Sequence, residues 1–530
     1  MIRLYEIRLE IDETIEQLKE RCEKLLGCKT KSFVLIKKSI DARKKNDIFY
    51  SCTVDCEPVR KINLRLKVKY SVVKEEKYEF PYHITSDKKI IIAGSGPAGL
   101  FAALCLAKAG CCPTIIERGS DVDTRVKAVQ SFFNLSHLDE ETNIQFGEGG
   151  AGTFSDGKLN TGVNDIRIRY VLKEFVRFGA PENILYDSAP HIGTDILRKV
   201  VKNIRNEIIR LGGRVLFNTK LVGVTTENNI IRRIDVEKSG KIETIDCDYL
   251  LLAIGHSARD TIRMLNNCGI DMENKMFSVG VRIEHKQEFI NKCMYGSFSH
   301  KLPAAPYKLW THLKNGNSLY TFCMCPGGYV VNSASCKGTV VTNGMSDNAR
   351  DGENANSAIL VNIKYPDNSS VFSGIEIQEK LEKKAFDLAG GNYNAPVQML
   401  GDFLKKTTSK CVGDVEPTIK PRYSLVDINS ILPDYISDTI RLGILDFDKK
   451  IKGFAAYDSI LTAPETRSSS PVKIIRDKIT LETSLKNVFS AGEGGGHAGG
   501  ITSSAVDGIK SAEAIVKKII GHLGQIIFIF

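Results

Sequence analysis

Six residues, Gly94-Ser95-Gly96-Pro97-Ala98-Gly99, have the spacing that a dinucleotide pyrophosphate requires. Gly94 permits a tight turn. Gly96 lets main-chain N–H groups approach a phosphate with no Cβ in the way, and Gly99 lets the following helix pack close to the preceding strand. Pro97 and Ala98 open that helix, whose N-terminus supplies unpaired donors and a partial positive charge. Glu117 stands 23 positions after Gly94, with Arg118 beside it. An acid there accepts hydrogen bonds from adenosine ribose hydroxyls and repels a 2′-phosphate, so the pattern predicts FAD or NAD rather than NADP.

A second group of residues lies far downstream. The apolar run Val488-Phe489-Ser490-Ala491 leads into Gly492-Glu493, the turn Gly494–Gly500 and a helix from Ile501. In flavoproteins of the glutathione-reductase structural class, an acid at the place of Glu493 binds the ribityl chain. The helix starting at Gly499-Gly500-Ile501 would aim its N-terminus at the flavin and stabilise negative charge on the reduced ring. NAD alone would not need this half, so the expected cofactor is non-covalent FAD. The strand end Ala253-Ile254-Gly255 is a third piece of the same pattern.

Three residues are candidates for the chemistry itself. His497 lies beside the expected flavin edge and could donate a proton or a hydrogen bond; equally, it could be a turn residue facing solvent. Arg467 could clamp an anionic substrate or serve in a structural ion pair. Lys158 follows an Asp-Gly turn and could approach flavin N1. Arg282 and Glu284 share one face of a strand that also carries His285, and mutual pairing would explain the first two. The fourteen cysteines form no C-x-x-C, which argues against a disulfide reductase, and reduced thiols are expected. Cys323 and Cys325 could lie near a redox cofactor. No metal-ligand cluster is present, and no second G-x-G-x-x-G follows a strand. NADH or NADPH, if used, would bind transiently in the substrate cleft.

These residues need elements to hold them. Lys89–Ala93 reads as a buried strand, Ala98–Ala109 as a helix stopped by Gly110, and Pro113–Ile116 as a second strand, together a βαβ unit. Residues 195–211 read as a helix, and Arg214–Phe217 and Asp248–Ile254 as strands. From 271 to 454 the pattern turns to irregular strands and loops, and the βα pattern returns from about 455. Before position 83, alternation from Ile2 to Ile11, a helix capped by Asp12 and stopped by Gly27, and strand-like runs Ser32–Ser39 and Ile48–Val54 form a small unit. The expected class is α/β. A small N-terminal α+β domain (1–82) precedes an FAD-binding Rossmann-like domain of the glutathione-reductase class (83–270 and 455–530). That domain is interrupted by a mainly-β substrate domain (271–454). The apolar end Gln525–Phe530 is expected to pack as an edge strand.

Four longer motifs go beyond the generic class: Gln145–Leu159, Phe322–Gly328, Glu465–Pro471 and Gly499–Gly508. Together they resemble the bacterial family labelled uncharacterised FAD-dependent dehydrogenases, and the resemblance covers nearly the whole chain. It includes an N-terminal ferredoxin-like domain carrying Lys38–Arg43. The resemblance implies that Gly94, Gly96, Gly99, Glu117, Glu493 and the Gly499-Gly500-Ile501 turn bind FAD. It also implies that Arg125 meets the pyrophosphate, and that the loop with Gly147, Gly150 and Gly152 passes close to the isoalloxazine.

With 530 residues, the chain exceeds one ordinary core and should form two to four domains. Hydrophobic residues are 42% and charged residues 26%, as in globular proteins. Charges interrupt every apolar run before spanning length, and the start is not a secretory signal. The expected location is the cytoplasm. The net charge is +10, and residues 1–89 hold 21 Lys and Arg against 15 Asp and Glu, an excess of six. That excess could attract nucleic acid, but the interleaved charges read more simply as a solvated surface. The leading expectation is an oxidoreductase passing a hydride between flavin N5 and a small organic substrate. The alternatives are a flavin monooxygenase and an FAD-binding protein without turnover whose N-terminal domain contacts nucleic acid or protein.

Overall fold

Ile90, Ile91, Ile92 and Ala93 form a strand buried along its whole length, as a strand covered on both faces must be. Ile90 and Ile92 point into an apolar core shared with helices Pro97–Lys108, Thr194–Arg210 and Ile501–Ile527. Ile91 and Ala93 point into a second core, against helix Arg259–Asn267 and a three-stranded antiparallel meander. The computed structural model describes residues 1–60, 67–74, 77–365 and 369–527.

The strand is the middle of a five-stranded sheet in the order Val488–Ser490, Tyr249–Leu252, Ile90–Ala93, Thr114–Ile116, Arg214–Leu216, with every pairing parallel. The chain runs outward from Ile90–Ala93 to Arg214–Leu216, then returns to the other side of the first strand. This reversal makes a topological switch point between Ile90–Ala93 and Tyr249–Leu252. Ligands of open α/β sheets bind outside the carboxyl ends of the strands at such a point.

Between the fourth and fifth strands the chain builds an eight-stranded sheet. At its centre Ser278–Lys286 pairs antiparallel with Asn354–Asn362 and with Ile460–Glu465. Helices Gln287–Tyr295, Ser373–Leu388 and Asp434–Lys450 accompany it; their periodicity was hidden among irregular stretches. The inserted sheet runs through Glu465, past the change of pattern near 455. Ile460–Glu465 is a buried central strand, and its apolar run does not distinguish one sheet from the other.

The N-terminal sheet has the antiparallel order Thr30–Asp41, Phe49–Pro58, Ile2–Leu9, Tyr70–Val72, the order of a ferredoxin-like sheet. Its helix, Ile15–Leu26, is capped by Thr14 and not by Asp12: Thr14 and Gln17 form a reciprocal capping box. At the other end, Gln525–Ile527 continue a helix rather than an edge strand, and 528–530 lie outside the described residues. Among the described residues no helix is long and apolar enough to cross a membrane.

The long helix Ile501–Ile527 crosses Pro97–Lys108 at Gly508. A Cβ on Gly508 would collide with the Ala98 carbonyl oxygen and lie 2.9 Å from Ala98 Cα. Overpacking of this kind costs about 1–3 kcal/mol. Gly508→Val should lower the midpoint of urea denaturation accordingly; an unchanged midpoint would show that the two helices can part freely.

Candidate cofactor and active site

Gly94 turns the chain immediately after the central strand with φ of +106°, and a Cβ there would collide with the Ala253 carbonyl oxygen. Ala253 and Gly255 end the neighbouring strand, so the two loops of the switch point touch at Gly94. Helix Pro97–Lys108 begins on Gly96 with Pro97 at its first position, and no side chain caps its N–H groups. A Cβ on Gly96 would find only Gly150 Cα, 3.9 Å away. Gly99 packs on the Gly94 carbonyl.

The downstream stretch reaches the same point. A Cβ on Gly492 would lie 2.9 Å from that of Ala98, and one on Gly494 would lie 2.6 Å from the Gly255 nitrogen. Asp507 accepts a hydrogen bond from the Gly492 N–H at 2.8 Å and pairs with Arg476 at 2.8 Å. Glu493 follows, half-buried. Among the described residues nothing hydrogen-bonds its carboxylate, and burial pushes the group from 4.5 to about 7, with Lys275 opposing. Burial lowers the His497 imidazole to about 4, with Arg476 adding to the effect. Its Nε2 has no partner. The ring borders a cleft of about 500 Å³ with Asn160, Arg476, Gly499, Gly500 and Lys510. A Cβ on Gly152 would meet Ile501 at 2.9 Å, and Thr502 Oγ1 donates to the Leu159 carbonyl at 2.8 Å.

Several candidates are engaged differently from the sequence expectation. Glu117 is buried and accepts four hydrogen bonds, from Ser95 N–H at 2.9 Å, Ser95 Oγ at 2.8 Å, and Gly119 and Gly147 N–H at 3.0 Å each. It ties the turn to the loop instead of waiting open for a ribose. Arg118 pairs with Glu141 at 2.6 Å and Asp260 at 2.9 Å, and lies 4.0 Å over the Phe146 ring. Arg125 does not face solvent, and its guanidinium is taken up by main-chain carbonyls. It is wholly buried and donates to the carbonyls of Asn143, Ile144, Gly147, Glu148 and Gly150 at 2.7–3.2 Å.

Arg467 is no free anion clamp either. Its Nε and Nη2 pair with Glu382 at 3.0 and 2.7 Å, and its Nη1 donates to Ser257 and Ser335. Glu382 also takes Arg259 at 2.8 Å and Thr466 Oγ1 at 2.7 Å. The two arginines hold this buried carboxyl well below its ordinary range, against a desolvation that raises it. Arg282 pairs with Glu465 at 3.0 Å and not with Glu284, which accepts from Thr418 and Asn354. Lys158 sits between Asp156 at 3.0 Å and the Cys325 sulfur at 3.7 Å, joined there by Arg350. All fourteen cysteines are free. Arg350, Arg476 and Glu382 had no local signal; each acquires its place only through partners distant in the chain.

A parallel sheet with a glycine turn, an open helix N-terminus and an unpartnered acid at its switch point defines the FAD-binding Rossmann-like class. Residues 276–468 match a family described as FAD-dependent protein, C-terminal domain-like, and residues 1–57 match a domain of unknown function. An uncharacterized protein of Clostridium beijerinckii is 46% identical over 531 residues, covering 98% of this chain and 99% of that one. The chain belongs to the family of that protein, a bacterial family of FAD-dependent proteins. The mitochondrial dihydrolipoyl dehydrogenase of Caenorhabditis elegans is 33% identical over 85 residues, 16% of this chain and 17% of that one. Among solved structures, a geranylgeranyl bacteriochlorophyll reductase-like protein of Thermoplasma acidophilum aligns with 82% of this chain and 79% of its own, at 10% identity and a TM-score of 0.35. A triple mutant of the flavin-dependent brominase Bmp2 aligns with 82% and 81%, at 12% identity and a TM-score of 0.36. Neither structural similarity bears on the reaction.

The Glu382 hub is open to test. Glu382→Ala leaves two buried guanidinium groups without their carboxylate, which costs about 3–5 kcal/mol. Chemical denaturation should register that loss; a stability equal to wild type would show that the hub is not holding the two domains.

Proposed function

We propose that the chain is an oxidoreductase that holds FAD non-covalently at the switch point and passes a hydride between it and an organic substrate, with NADH or NADPH as transient donor. The observation that carries this reading is the unpartnered Glu493 carboxylate, raised to about 7, where the glycine turn at Gly94 and the chain before Ile501 meet. A half-buried carboxylate that no protein donor occupies is free to accept hydrogen bonds from a ligand, and a ribityl chain carries hydroxyls. Gly96 and the first N–H groups of Pro97–Lys108 would face the pyrophosphate. Gly492, Glu493 and the Gly499-Gly500-Ile501 turn would hold the ribityl and flavin end. FAD, when bound, supplies the hydride chemistry.

The remaining work falls to the chain. The helix from Ile501 directs its positive end at the site, favouring a developing negative charge. His497 is neutral at pH 7, and its Nε2 is buried without a partner. Arg125 and Glu117 hold the 143–150 loop over Gly96 and limit the approach of water.

Gly96→Val should fold, because its face is open, yet lose bound FAD and the yellow colour; full FAD loading would place the cofactor elsewhere. Anaerobic bleaching of the flavin by NADH or NADPH would support the donor. Substrate hydroxylation on admitting oxygen would move the protein to the monooxygenases. The pH dependence of FAD binding has a defined sign. Hydroxyl donors favour the ionised Glu493, so FAD binding releases a proton wherever the free carboxyl is protonated. FAD affinity of the apoprotein should therefore rise with pH up to about 7 and then level. Glu493→Gln should flatten that profile; an unchanged slope would remove Glu493 from the site.

A further inference from the structure

Cys323 and Arg350, neither of them glycine, both hold left-handed backbone, with φ of +41° and +53°. Such strain collects where side chains are aimed for function. Cys323 lies in a bulge: Phe322 pairs with Ala358 and Cys325 with Asn356, so Cys323 and Met324 together face the single residue Ser357. The exposed Cys323 of this bulge lies near Lys158, which shares one buried carboxylate, Asp156, with Arg350. Arg350 Nε donates to Asp156 Oδ1 at 3.1 Å, its Nη2 donates to Oδ2, and Lys158 Nζ lies 3.0 Å from Oδ2. Arg282 supports the bulge from beneath, donating to the Cys323 carbonyl at 3.3 Å while paired with Glu465.

The charges do not cancel. Lys158 and Arg350 share Asp156 alone, two cations against one carboxylate, while Arg282 is paired with Glu465. Burial lowers His191 from its ordinary value, so it adds no charge at neutral pH. Burial works against the Lys158 ammonium, but Cys325 and Asp156 outweigh it and leave the group raised. The Lys158 side chain stays 32% exposed while Asp156 is 3% exposed, so the uncompensated charge is the part that meets solvent. Arg350 Nη1 and part of the Lys158 ammonium have no partner among the described residues. Lys158 is also one residue from Leu159, which is bonded to the first turn of the Ile501 helix. The cluster thus lies where the inserted domain meets the nucleotide domain, a preferred place for substrate sites.

We propose that Lys158 and Arg350, beside Cys323, form an anion subsite that binds the carboxylate of a small organic acid substrate. One surplus positive charge suits a carboxylate monoanion better than a phosphate dianion. The assignment rests on the flavoenzyme reading, in which the far end of that acid faces the cofactor.

Cys323 supplies its own reporter. The holoprotein is alkylated in parallel with iodoacetate, which carries a carboxylate, and with iodoacetamide, which does not. Rates at the three exposed thiols, Cys112, Cys323 and Cys411, are read by peptide mass spectrometry. The iodoacetate-to-iodoacetamide ratio should be roughly tenfold higher at Cys323 than at the other two. Benzoate should suppress that excess, Lys158→Met should abolish it, and Lys158→Arg should retain it. Equal ratios at all three thiols, an excess indifferent to benzoate, or no labelling of Cys323 by either reagent would overturn the proposal. Benzoate competition in the wild type decides the matter should Lys158→Met fail to fold. FAD content of the same samples reads the parent assignment separately: selective labelling of a colourless protein would keep the anion subsite and discard the flavin.

Discussion

Arg125 lies wholly inside the protein and gives its N–H groups to five main-chain carbonyls between Asn143 and Gly150, so a loop without regular structure is held from beneath. Burying an unpaired cation costs several kcal/mol, and desolvation lowers this guanidinium to about 9. Oriented carbonyl dipoles offset that cost, and they can do so only while the loop keeps its shape. The cation and the loop therefore require each other. From above, Glu117 fastens Gly147 and Ser95 together, which sets the loop beside Gly96. This end of the candidate site is built from polar groups that satisfy one another, with glycines where backbones must touch.

The loop also connects the domains. Gln145 accepts from Ser257, Ser257 accepts from Arg467, and Arg467 shares Glu382 with Arg259. Arg467 and Glu382 come from the inserted domain, and Ser257 and Arg259 from the nucleotide domain. A buried carboxylate between two arginines is a directional fastener: it fixes how the inserted sheet sits against the switch point, which apolar packing alone would leave free to slide.

Much of the frame was legible because its signals are local. The Gly94 turn, the Ile90–Ala93 strand and the following helix are encoded within twenty residues, and the parallel sheet follows from βα alternation. That the stretches near Gly94 and Glu493 come together was inferred from two incomplete halves of one cofactor site. What escaped was everything decided by a distant partner. Arg125 and Arg467 look like surface or ligand-binding arginines in sequence, since nothing nearby marks them as buried. Glu117 stands at the position of a ribose acceptor, yet its donors come from Ser95 and from Gly147, thirty residues on. Ile460–Glu465 has the same apolar character as a strand of the first sheet and belongs to the second. Cys323 owes its orientation to a bulge, which depends on the register with Asn354–Asn362 and leaves no mark on composition.

The order of the chain has a consequence for how the holoprotein is made. The Gly94 turn emerges from the ribosome 399 residues before Glu493, and the strand Val488–Ser490 and the helix carrying Gly508 come later than every other described element of the nucleotide domain. At 5–20 residues per second, the first half of the sheet waits roughly 20–80 s for its edge strand. Throughout that interval the apolar face of Pro97–Lys108 lacks its final cover, as does Tyr249–Leu252 once it has been made. The two stretches that meet at the switch point can therefore come together only when translation is all but finished.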